Sequence, residues 1–151
     1  QLIEKLQSLT GVPCTTSIVA AMDAFRDLSA SRLAVVNPYP PDLNEKMVQY
    51  LKSWGFDALS VVSLGTTFTE SSAASIGDIY RAAKKAVAQA AKPHAIFIPC
   101  ANFPVVDVIE QIETDLGLPV IANMTSQLYV AFKAIGMRQR IENYGKLLRL
   151  L

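Results

Sequence analysis

Four short runs rich in β-branched and other apolar residues, set between stretches of helical periodicity, constrain this chain more than anything else in it. They are "RLAVVN" (32–37), "FDALSVVSL" (56–64), "HAIFIP" (94–99) and "LPVIAN" (118–123). Alternation of such runs with helical patterns specifies βαβ units and therefore a parallel sheet. Because the runs are apolar at nearly every position, the strands are expected to be covered on both faces. The predicted fold class is α/β: a four-stranded parallel sheet with helices on both sides. A length of 151 residues suits one such core and not two.

The intervening segments carry apolar stripes at helical spacing. "DLNEKMVQYLKSWG" places Leu43, Met47, Tyr50, Leu51 and Trp54 on one face and stops at Gly55. "SAASIGDIYRAAKKAVAQAAK" carries Ile76, Ile79, Ala83 and Val87. Following Cys100, "VVDVIEQIETDLG" repeats Val105, Val108, Ile109 and Ile112 and closes at Gly117; a last segment runs from about Ser126 to Ile135. Before any strand come two helical runs, "QLIEKLQSL" and "TSIVAAMDAFRDL". Residues 1–30 are accordingly read as a helical connection from something upstream, with a helical extension of the sheet as the alternative. Residues 31–136 form the α/β lobe. Residues 137–151 are a solvated tail, with Tyr144 and Leu147 docking onto the body.

Charge excludes several classes of function. The net charge is +1, with Lys and Arg scattered singly among Asp and Glu, which speaks against a nucleic-acid partner or a basic membrane anchor. No apolar run is long enough to span a bilayer, and the opening residues carry Glu4 and Lys5 where a signal peptide would be apolar. A cytosolic protein with reduced Cys14 and Cys100 is the expectation. His94 is the single histidine, so a conventional zinc cluster is not expected.

In open α/β sheets the functional crevice lies beyond the carboxyl ends of the strands, which directs attention to "NPYPPD" (37–42), "GTTFTESS" (65–72), "CANFP" (100–104) and "NMTSQ" (123–127). Cys100 is expected at a helix N-terminus, where the amides of Ala101, Asn102 and Phe103 favour a thiolate or a bound carboxylate; the competing reading is a small buried apolar side chain. Tyr39, fenced by prolines, could donate to a carboxylate or enolate, or could be a turn aromatic covering the sheet edge. Thr66, Thr67, Thr69, Asn123, Thr125 and Ser126 are neutral donors suited to small carboxylates, with Ser72 and Thr125 as expected N-caps. Cys14 is read as structural and His94 as a surface residue.

Taken together, "TGVPCTTSIVAAMDAF", "RLAVVNPYPPDLNEKMVQYLKSWGFD", "FIPCANFPVVDVIEQIETDLGLPVIANMTSQLYVAF" and "NYGKLL" resemble the aspartate/glutamate racemase superfamily, closest to its maleate cis-trans isomerase and arylmalonate decarboxylase branch. That resemblance implies one lobe of a pseudo-two-fold, two-lobe fold, with a first lobe of about a hundred residues lying before Gln1. It implies an enzyme needing no cofactor. Cys100 would act as proton donor or acid/base, Tyr39 would hydrogen-bond a substrate carboxylate, and the Ala101 and Asn102 amides would help hold it. Asn123 is placed behind that layer. Pro104 departs from a basic residue common in relatives, and the 66–72 loop lacks the asparagine that maleate isomerases use.

The expected function is an isomerase or racemase of a small dicarboxylate or related acid. An arylmalonate-type decarboxylase, using Cys100 to reprotonate an enediolate, is the alternative. A non-catalytic carboxylate-binding or assembly domain is the reading from another class. Homo-oligomerisation or association with the other lobe is expected as well.

Overall fold

The computed structural model describes residues 2–66 and 68–151, so Thr67, one of the candidate binding residues, lies outside the described residues. Helices α1 (Leu2–Thr10) and α2 (Ser17–Asp27) precede β1 (Arg32–Asn37). Then come α3 (Pro41–Ser53), β2 (Asp57–Ser63), α4 (Phe68–Ser71), α5 (Ile76–Gln89), β3 (Ala95–Ile98), α6 (Ile109–Leu116), β4 (Val120–Ala122) and α7 (Asn123–Ala134). Among the described residues the sheet has four strands, all parallel, in the order β2-β1-β3-β4.

Successive side chains of a strand point to opposite faces, and here both faces are dry. Ala34, Val36, Ile96, Ile98, Val120 and Ala122 pack on one side under α5 and α6. On the other, Leu33, Val35, Ala95, Phe97 and Ile121 pack under α2 and α7. Phe25 of α2 meets Phe97 and Phe56 edge-on, with ring centroids 4.9 and 5.0 Å apart. The α/β sheet expected from the apolar runs is therefore present, with β1 beginning and ending where its run does.

Three local expectations fail for identifiable reasons. The apolar stripe of α3 is not a buried face: only Leu51 is buried, while Leu43 and Tyr50 are 42% and Trp54 is 50% exposed. The helix covers β2, an edge strand, so only the Met47 and Leu51 line reaches the core. The N-cap of α5 is Ser75 rather than Ser72, its hydroxyl accepting the Asp78 N–H at 3.0 Å. Thr125 does not cap α7, which starts two residues earlier; its hydroxyl instead donates back to the Ala122 carbonyl at 3.2 Å.

The tail docks differently from expectation too. Leu147 is buried, but Tyr144 is 44% exposed. Polar anchoring is supplied by Glu113, a buried carboxylate on α6 that accepts the N–H groups of Val120 (2.7 Å) and Lys146 (2.8 Å) and lies 3.4 Å from the Arg149 guanidinium. Gly145 permits the approach: at φ +88°, a Cβ there would stand 2.6 Å from Ile109 Cγ2.

Candidate active site

All four strands deliver a loop to one end of the sheet, and those loops enclose a cavity of about 660 Å³. Pro38, Tyr39, Pro40 and Pro41 come from the β1 end and Gly65, Thr66 and Ser71 from beyond β2; β3 leads into Cys100, Ala101 and Asn102, and β4 into Asn123. Strand order explains why the crevice is here. The chain leaves β1 for β2 on one side and returns past β1 to β3 on the other, so the loops after β1 and β3 splay apart at the switch point. Tyr39 from the first loop and Cys100 from the second both line the cavity, and the Tyr39 hydroxyl reaches the peptide that precedes Cys100.

Of the candidates, Cys100, Tyr39, Ala101, Asn102 and Asn123 thus share one cavity. Cys100 is 6% exposed. The helix expected to begin at it starts later: Pro104 and a 3-10 turn over Val106–Val108 intervene before α6 opens at Ile109. In place of a helix N-terminus, Cys100 opens a turn in which its carbonyl accepts the Phe103 N–H at 3.3 Å, and Ala101 and Asn102 form the apex against the cavity. Two other helices do point their N-termini at the site, α3 through Pro40 and Pro41 and α7 through Asn123. None of the described lining residues is charged, so positive potential comes from these helix dipoles.

The phenol of Tyr39 donates a hydrogen bond to the carbonyl of Pro99, immediately before Cys100. Burial, and secondarily the neighbouring Cys100, pushes that phenol up to about 12. It stays neutral and a donor at any ordinary pH. Pro38, Pro40, Pro41 and Leu43 give the cavity a wholly apolar wall beside it.

Sequence reasoning missed Asn37 and Asn44. Asn37 is fully buried at the carboxyl end of β1, its Oδ1 accepting the Tyr39 N–H (2.9 Å) and its Nδ2 donating to Asn44 Oδ1 (2.7 Å). An asparagine closing an otherwise apolar strand was the available signal. Leu43, read from the sequence only as part of the apolar face of α3, lines the cavity, as does the buried Ser71. Cys14 is elsewhere, bonded locally to Thr10 and the Val12 carbonyl, and His94 is exposed at the amino end of β3 beside Ser31. Among the described residues no group of three or more His, Cys, Asp and Glu could hold a metal, and no helix is long and apolar enough to cross a membrane.

A family model described as arylmalonate decarboxylase matches residues 1–148. The chain is 27% identical to arylmalonate decarboxylase from Bordetella bronchiseptica over 147 residues, covering 94% of this chain and 60% of that protein. It is 25% identical to maleate isomerase from Geobacillus stearothermophilus over 153 residues, covering 95% and 59%. The crystal structure of the maleate isomerase of Pseudomonas putida S16 superposes with a TM-score of 0.88 at 25% identity, over 97% of this chain and 61% of that one. The chain thus spans about 60% of the length of the curated relatives it matches.

Proposed function

Since the chain belongs to the arylmalonate decarboxylase family, we propose that it acts in an enzyme that transfers a proton to the α-carbon of a small carboxylate, with Cys100 as the donor. The observation that carries this reading is the placement of Cys100 beside Tyr39, at the switch point of the sheet, in a cavity with an apolar wall. A substrate carboxylate would lie against the Ala101–Asn102 turn and the N-termini of α3 and α7. As a charged acceptor it competes for the Tyr39 hydroxyl better than the Pro99 carbonyl does.

The reaction best matched to one thiol is decarboxylation of a substituted malonate. The bond from the α-carbon to one carboxylate breaks, carbon dioxide leaves, and the electron pair is held as an enediolate of the remaining carboxylate. Cys100 Sγ–H then gives its proton to that carbon, and the thiolate recovers one from solvent. The wall of Pro38, Pro40, Pro41 and Leu43 suits an apolar substituent. Isomerisation of a small dicarboxylate is the second reading, favoured by the similarity to maleate isomerases; it calls for a second catalytic group on the opposite face of the substrate.

Incubation of the full-length protein with phenylmalonate and, separately, with maleate in D₂O separates the two. Carbon dioxide release with one deuterium at the α-carbon supports decarboxylation, and fumarate formation supports isomerisation. Turnover of neither, nor of other small α-substituted carboxylates, would sink the proposal.

A further inference from the structure

Tyr39 sits in a stretch, Pro38 to Pro41, whose three prolines leave its N–H as the single backbone donor there. Both polar atoms of its backbone are held by side chains. Asn37 Oδ1 accepts the N–H at 2.9 Å. The carbonyl accepts from Asn44 Nδ2 at 2.9 Å and from Ser63 Oγ at 2.6 Å. Asn37 Nδ2 donates to Asn44 Oδ1 at 2.7 Å, closing a ring of hydrogen bonds through Asn37, Tyr39 and Asn44. The ring also fixes which way the two amides face: turning either one would set donor against donor or acceptor against acceptor. Ser63 Oγ accepts the Gly65 N–H at 3.0 Å as well, tying the Tyr39 loop to the opposite wall of the cavity.

Helix packing does not require this arrangement. Asn44 lies in the first turns of α3, whose only buried side chain is Leu51, and Asn37 ends a strand whose other inward residues are apolar. A fully buried amide at that point is costly unless every bond it needs is made.

We propose that Asn37, Asn44 and Ser63 form a clamp that aims the Tyr39 phenol at the Pro99–Cys100 peptide, and that Asn44 is its principal positioning residue. The clamp acts through Tyr39 without touching substrate, and its catalytic consequence rests on the proton-transfer reading above.

Asn44→Asp tests it. The substitution keeps the shape and the acceptor for Asn37 Nδ2 but replaces the donor facing the Tyr39 carbonyl with an acceptor. The new charge lies near the N-terminus of α3, where it does not weaken the helix. With the full-length protein labelled by ¹³Cζ-tyrosine, and the Tyr39 resonance identified by its loss in Tyr39→Phe, the variant is expected to broaden or double that resonance. Turnover should fall by about tenfold or more with KM changed less than threefold, because misaiming costs alignment rather than binding. Ser63→Ala, which removes one bond to the same carbonyl at an exposed strand end, should give a smaller change of the same kind and serves if Asn44→Asp fails to fold. An unshifted Tyr39 resonance in a folded variant overturns the clamp. A shifted resonance in a protein that turns over no carboxylate upholds the clamp and overturns the proton-transfer reading.

Discussion

The hydroxyl of Tyr39 donates to the carbonyl of Pro99, 60 residues further along the chain, so the loop after β1 is bonded to the peptide that carries Cys100. β1 and β3 are hydrogen-bonded neighbours, yet their loops diverge to opposite sides of the sheet. Bridging them puts a neutral donor beside the only thiol of the cavity lining and fixes the direction in which the Cys100 backbone enters its turn.

Tyr39→Phe removes that bridge while keeping the ring. Turnover should fall by about a hundredfold, the usual cost of losing one donor at a developing oxyanion. Because the phenol is held up to about 12, folded protein retains its proton more tightly than unfolded chain does, and this contribution is present below about pH 10 and lost as pH rises through 12. Wild type should therefore lose stability more steeply than Tyr39→Phe between those values in alkaline denaturation. Equal slopes would contradict the burial of the phenol.

Cys100→Ser places a poorer acid in the same volume. A loss of about a hundred- to ten-thousand-fold in turnover is expected, with an unchanged circular dichroism spectrum and melting temperature. Retention of more than a tenth of the activity would remove Cys100 from the chemistry.

Glu113 supplies a pH signature of the tail. Burial raises its carboxyl, and the N–H groups of Val120 and Lys146 and the charges of Arg149 and Lys146 only partly offset this. A raised carboxyl favours the folded state at pH below its unfolded value and loses that contribution as pH rises through the folded one. The melting temperature of wild type minus that of Glu113→Gln should therefore become more negative from pH 4 to pH 7. A difference that moves the other way would mean that the donors outweigh the burial.

Gly145→Ala should cost about 1–3 kcal/mol in urea denaturation, since its Cβ would overlap Ile109 and Glu113 at a positive φ. A denaturation midpoint matching wild type would show that the tail can be lifted at no cost.

The legibility of the fold varies with how many faces of an element are buried. β1, with a helix layer on each side, announces itself as an unbroken apolar run and is found at its true ends. The stripe on α3 has equally good periodicity and misleads, because an edge strand offers too little surface to cover it. Capping at Ser72 and Thr125 is not what the structure shows: Ser72 and Ser75 both precede α5, Thr125 and Ser126 both fall inside the first turn of α7, and only the path of the chain decides where each helix starts.

From the sequence alone came the parallel sheet, its coverage by helices, the crevice at the strand ends and most of the residues around it. These follow from the periodicity of burial, a short-range property written into neighbouring residues. Tertiary structure decided the rest: that Cys100 lies in a turn rather than at a helix start, that Tyr39 bonds Pro99, that Asn37 and Asn44 hold Tyr39, and that Glu113 receives the tail. Each joins segments brought together only by the crossing of the chain over the sheet, and a buried polar group finds its partner by proximity in space, which no local pattern records.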